Sequence, residues 1–322
     1  FDVVSDVYLN STFPDAEIEK EKGVIIEEIN MYEDTPARHV QDLFMKLLYG
    51  DTPAGWNIAG EKENILKMKR DDFVTYKSRH YVPEATVLVV AGQVKEAEVM
   101  KEVKKIFGSV KKEQKDQKVK VKEMQAKPEV LVSFKKTDQT HFVLGMRSYD
   151  LFSKHGPALT VLGGILGGGM SSRLFQKLRE EMGVGYYVRA YNDTYTDHGV
   201  FQISAGVDNK RIKEVIQAVL IECKKLKEEK VSEEELSKVK EFLIGNTKLS
   251  LESSDDIANF YGGQELLRND IKNIEEKSKE IRKVTAKDVQ ELAKAIFTEK
   301  NLNLALIGPF KDNAHFIKLL KF

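Results

Sequence analysis

Cysteine, tryptophan and proline are scarce: 322 residues hold one Cys, one Trp and seven Pro. A single thiol, Cys223 within VIQAVLIECKKLKEE, excludes an intrachain disulfide and leaves the redox compartment open; its place is that of a buried helix residue. Net charge is absent as well, because 51 Lys+Arg stand against 51 Asp+Glu, which argues against wholesale nucleic-acid binding. The longest mostly apolar stretch, Pro157 to Met170, is interrupted by glycines and falls short of the ~20 residues a membrane helix needs, so a soluble chain without a membrane span is expected. Several catalytic signatures are missing. No two of the histidines His39, His80, His141, His155, His198 and His315 stand four apart on a helix, and neither HExxH nor HxxEH occurs. GxSxG is absent, GxGxxG fails, and the glycine run ending at Gly169 is followed by Met170 rather than by the Lys of a phosphate loop. The chain opens at Phe1 in what reads as mid-helix, FDVVSDVYLNSTF, without an initiator Met, cationic leader or signal-type segment; the expectation is a fragment.

What is present is enough for two cores: 41% of residues are apolar, and the length suits about two domains. A charge-dense segment stopped by proline, Ser109 to Pro128, marks the expected boundary. This divides the chain into 1–108, a linker over 109–128, and 129–322. The second part repeats the end of the first. Met68–Gly92 lies over Val284–Gly308 at a shift of 216 residues, each with a helix that opens near an acid (Asp72, Asp288), closes near an aromatic (Tyr81, Phe297) and leads into an apolar strand ending in glycine. Asp15 onwards lies over Glu233 onwards at a shift of 218. Strands begin the second copy near Glu129, so the first copy is expected to begin about 90 residues before Phe1, with its opening strands and first helix outside this sequence.

Within the second copy, helices are expected over Gly156–Leu166, Ser171–Met182, Lys210–Lys227 and Ser232–Leu251, with a hairpin from Gly183 turning at Thr194–Gly199. Antiparallel hairpins beside grouped helices give an α+β class: two homologous layered domains, the first truncated at its N-terminus.

Two constellations bear on chemistry. On the helix IEKEKGVIIEEINMY, Glu21 and Glu28 fall at about 300° and 280° with Ile18 as zero, two turns apart among Val24, Ile25 and Tyr32. Carboxylates inside an apolar stripe need pairing, protonation or a cation; an edge charge reaching water and a metal ligand both fit the pattern. The shift of 218 places Val239 and Asn246 at the same positions of the second copy, so the fold does not require either acid. In GGILGGGMSSRLFQKLREEMGVGYY, the glycines suit a close-packed turn between helices. Arg179 and Tyr186 stand seven apart across the following cap, where they can converge.

With these residues in hand, the sequence resembles the pitrilysin/insulinase family of zinc peptidases, in particular bacterial processing proteases similar to the β subunit of mitochondrial processing peptidase. EKGVIIEEINMYEDTP (Glu21–Pro36) looks like the segment supplying the third zinc ligand, and Leu166–Gly206 like the hallmark of the second domain. The resemblance implies Glu28 as zinc ligand, Glu21 as its supporting acid, and Arg179 and Tyr186 as contacts to substrate or oxyanion. It implies a zinc endopeptidase that binds peptides or presequences in extended form between clamshell halves. The HxxEH that completes such a site is expected upstream of Phe1. A bacterial cytoplasmic location and possible homodimer go with the resemblance, and a non-catalytic peptide-binding or scaffold subunit is the competing reading.

Overall fold

The computed structural model describes residues 1–111, 117–268 and 270–322. In chain order its helices are α1 (Asp2–Leu9), α2 (Asp15–Glu33), α3 (Pro36–Tyr49), α4 (Lys62–Lys67), α5 (Arg70–His80), α6 (Glu96–Phe107), α7 (Gly156–Gly167), α8 (Arg173–Phe175), α9 (Ile212–Glu228), α10 (Glu233–Leu249), α11 (Ser254–Arg268), α12 (Ile274–Lys283), α13 (Ala286–Ile296) and α14 (Ala314–Ile317). Its strands are β1 (Glu129–Phe134), β2 (Gln139–Ser148), β3 (Gly185–Thr194), β4 (Gly199–Asp208) and β5 (Asn303–Gly308). The described residues divide into two compact units: 1–31, 58–119 and 249–272 make the first, and 32–57, 120–248 and 273–322 the second.

The second unit is a layered α+β structure on one mixed sheet, ordered β1-β5-β2-β4-β3, with β1 parallel to β5 and the other neighbours antiparallel. The two-residue period of a strand sorts its side chains. Phe142, Leu144 and Met146 of β2 and Phe201, Ile203 and Ala205 of β4 enter the larger core, which α7, α9 and α13 also line. Val143, Val200, Ala305 and Ile307 project to the other face, where Val40, Phe44 and Leu48 of α3 cover them. Those three recur every four residues along α3, as one helix face requires. Pro36 opens α3 where its missing N–H is no loss, and Gly50, at φ 59°, follows its last turn.

The first unit is helical among its described residues. The duplicated helices α5 and α13 both form, with the same device at the same place. The Lys69 N–H donates to Asp72 Oδ2 at 2.7 Å and the Thr285 N–H to Asp288 Oδ2 at 2.8 Å, so the aligned acids cap the aligned helices. The strand expected after α5 does not form. Val87–Val90 align with β5, yet they are 36–43% exposed and belong to no ladder. β5 is held between β1 and β2, whereas no described strand flanks the aligned segment. An apolar sequence becomes a strand only where a neighbour accepts its backbone hydrogen bonds.

The units also cut across the boundary expected at 109–128. The shift of 218 carries α3 onto 254–267, the span of α11. α3 lies on β5 in the second unit. α11 lies in the first, against the segment aligned with β5: a Cβ built at Gly262 would sit 3.0 Å from Val89 Cγ2. Equivalent helices thus occupy equivalent places, each in the unit built mainly by the other half of the sequence. Nor is the expected linker free throughout. Residues 112–116 of it lie outside the described ones, but 120–125 are stitched to the second unit. Val121 N–H donates to Asp197 Oδ2 at 2.9 Å, Gln125 Nε2 donates to Asn303 Oδ1 at 3.1 Å, and Arg147 donates to Gln125.

Candidate functional site

Glu21 and Glu28 lie on α2 as expected, but not within a buried stripe. The buried line of this helix runs through Ile18 and Ile29, 8% and 5% exposed; it passes about 60–100° from the two acids. Both carboxylates are exposed, and Val24, about 40–60° beyond them on the wheel and so further from the buried line, is 49% exposed. Among the described residues, no three His, Cys, Asp or Glu side chains converge to hold a metal. Zinc takes three or four protein donors, and one exposed carboxylate supplies one. The residues described therefore do not fit a complete zinc site.

Arg179 and Tyr186 belong to the second unit, and the segment that carries them contains two backbone irregularities. α8 continues into a π-helical turn, Gln176–Glu181, with the Met182 N–H donating to Lys177 O at 3.1 Å. Leu174 and Leu178, both fully buried, anchor it; Gly183 leaves it at φ 62°, and Arg211 Nη1 donates to Met182 O at 2.8 Å. Such turns are rare and concentrate at functional sites. Arg179 stands exposed on this turn, its guanidinium 5.2 Å from the Phe175 ring centroid. The chain then enters β3 through a β-bulge: Gly185 pairs with Val207 and Tyr187 with Gly206, so Tyr186 falls outside the register and is 61% exposed. Bulges re-aim side chains in this way. The preceding glycine run, expected to make a close-packed turn between helices, instead brings a helix against the sheet at its first member. α7 packs so closely on β3 that a Cβ at Gly167 would lie 2.3 Å from Ala190 N.

Among the described residues β3 is an edge strand, paired only with β4. Its odd-numbered residues form a polar row that the sequence reading missed. Tyr187 Oη lies 3.2 Å from His141 Nδ1, Tyr191 Oη donates to Gln41 Oε1 at 3.5 Å, and Gln202 Nε2 donates to Asp193 Oδ2 at 2.7 Å. Burial sets the ionisation of this row. It pushes the Tyr187 and Tyr191 phenols up to about 12, raises the Asp193 carboxyl against the pull of Gln202, and lowers His141. The signal was the alternation Tyr187, Arg189, Tyr191, Asp193, which marks one polar sheet face. His141 had no such local cue, because its partner is two strands away in the sheet order.

A family model described as "Peptidase M16 inactive domain" matches residues 67–243. A curated Bacillus subtilis relative named "Uncharacterized zinc protease YmxG" is 35% identical over 308 residues, covering 96% of this chain and 74% of its own length. The chain belongs to the M16 peptidase family. A Mycobacterium leprae relative, also named an uncharacterized zinc protease, is 31% identical, covering 96% of this chain and 70% of its own length. Among solved structures, a peptidase M16 inactive domain from Pseudomonas fluorescens superposes with TM-score 0.87 at 18% identity, covering 96% of this chain and 74% of the other. A protease from Helicobacter pylori gives 0.85 at 23% identity, covering 92% and 73%. At those identities the structural matches speak for the fold, which is the M16 one. No described helix is long and apolar enough to cross a membrane.

Proposed function

We propose that this M16 chain serves a zinc endopeptidase by holding polypeptide substrate in extended form along β3, with Arg179 and Tyr186 donating to main-chain carbonyls. The observation that carries this reading is the juxtaposition of an edge strand with a π-turn and a bulge that expose an Arg and a Tyr beside its start. The free side of an edge strand offers N–H and C=O groups to an added strand, and main-chain hydrogen bonds then give affinity with little demand on sequence. A guanidinium and a phenol at the entrance supply donors, which also suit a carbonyl oxygen as it gains charge. Zinc comes into this reading through the names of the relatives. Glu28 is the one residue here that the resemblance offers it as a ligand, and Glu21 is the supporting acid. When bound in a peptidase, zinc activates a water for attack on the peptide carbonyl; no step of that kind is assigned to the residues described.

The competing reading, a non-catalytic peptide-binding subunit, is favoured by the family model itself, whose description is of an inactive domain. Both readings require binding. Fluorescence anisotropy of a dye-labelled, reduced and carboxymethylated polypeptide tests that requirement. Arg179→Ala and Tyr186→Ala should each weaken the affinity roughly tenfold, the scale of one charge-assisted or well-placed hydrogen bond. Unchanged affinity in both variants would remove the basis of the proposal.

A further inference from the structure

We infer that His141 is a positioning residue that fixes the bulge presenting Tyr186. The inference rests on the reading of Tyr186 as a substrate contact, and it starts from a row of three residues. β2, β4 and β3 are adjacent, and the register sets His141 opposite Gly206 and Gly206 opposite Tyr187. The outer two side chains meet above the middle one. The rings lie 24° from parallel with centroids 5.9 Å apart, and His141 Nδ1 is 3.2 Å from Tyr187 Oη.

The middle position must be glycine for this to happen. A Cβ at residue 206 would lie 2.5 Å from Tyr187 Cε1 and 3.2 Å from His141 Nδ1, inside the contact limits of both. Gly206 is also the residue that the bulge leaves facing Tyr187 while Tyr186 goes unpaired. The ring of the second bulge residue is therefore laid across the partner strand and tied there by a side chain from the strand beyond. A bulge leaves one residue unpaired and disrupts the ladder locally, and a one-residue slip there would turn the strand's side chains to the other face. The His141–Tyr187 contact opposes that slip from outside the ladder, and so decides where the exposed neighbour Tyr186 points. Arg211 closes the other end of the segment on Met182 O.

The test places 3-fluorotyrosine at position 186 of the full chain and reads its 19F resonance beside polypeptide affinity. The native sequence should give one resonance. His141→Leu, Tyr187→Phe and Gly206→Ala should each split or broaden it and weaken affinity roughly threefold to tenfold, the range of one neutral hydrogen bond. His141→Gln, which keeps a side-chain donor and acceptor, should restore both. Val219→Ala, in the fully buried core of α9, lowers stability without touching the row and should leave the resonance intact. An unchanged resonance in His141→Leu and Gly206→Ala, or an equal disturbance in Val219→Ala, overturns the inference. The two claims separate cleanly. If Arg179→Ala and Tyr186→Ala both leave affinity unchanged, the peptide-binding reading fails, while the resonance still decides whether His141 positions the bulge.

Discussion

Removal of α3 from the second unit gives the sharpest test of how the fold is assembled. Val40 and Phe44 are fully buried and Leu48 is 5% exposed against Val143, Val200, Ala305 and Ile307. Burying three such side chains contributes about 4.5–9 kcal/mol, an upper figure because denatured chains already hide part of this surface. A whole domain is stable by only about 5–15 kcal/mol. A fragment spanning 120–322 contains every strand of the sheet, yet it should be marginal or molten. Near-ultraviolet circular dichroism and binding of a hydrophobic dye would show lost side-chain order beside retained secondary structure. A synthetic peptide of residues 32–57 added in trans should restore cooperative unfolding, with a midpoint that rises with peptide concentration. In the intact chain Phe44→Ala should cost about 3–5 kcal/mol by urea denaturation. Cooperative unfolding of the 120–322 fragment at the intact chain's midpoint, indifferent to the peptide, would refute the assignment of α3 to this sheet.

Other outcomes follow from particular groups. Glu28→Gln should change the melting temperature negligibly, within about 0.5 kcal/mol, because the side chain is exposed; calorimetry checks this. Cys223 is fully buried, and burial raises its thiol pKa, so it should resist a thiol-specific chromogenic disulfide until the chain unfolds. Burial lowers His141 from 6.5, so the unfolded chain takes its proton first. The contribution of the neutral ring is complete above that pH and is lost on acidification until the folded-state pKa is passed. His141→Gln should flatten that part of a stability–pH curve measured by urea denaturation. Asp193 is shifted the opposite way, raised by burial. Its ionisation therefore opposes folding as pH rises through the folded-state value, and Asp193→Asn, which keeps an acceptor for Gln202, should be neutral or stabilising at pH 7.

The local grammar of this protein was written in its residues. The paired acids Asp72 and Asp288 announced two capped helices, and the stretch around Thr194–Gly199 announced the β3–β4 hairpin, because each depends on interactions within a few residues. The duplication and the family likeness were legible for the same reason: a repeated pattern is a property of the string. Three things were decided only in space. The apolar run at Val87–Val90 matches β5 in sequence but forms no strand, since a strand exists through its neighbours. The acids Glu21 and Glu28 sit among apolar residues on a helical wheel, yet the buried line runs through Ile18 and Ile29, since a wheel shows which residues share a face and not what covers it. And the joining of His141 to Tyr187 across Gly206, like the exchange of α3 and α11 between units, unites residues far apart in the chain. Periodicity sets which side of an element is apolar; only the closed structure determines what that side meets.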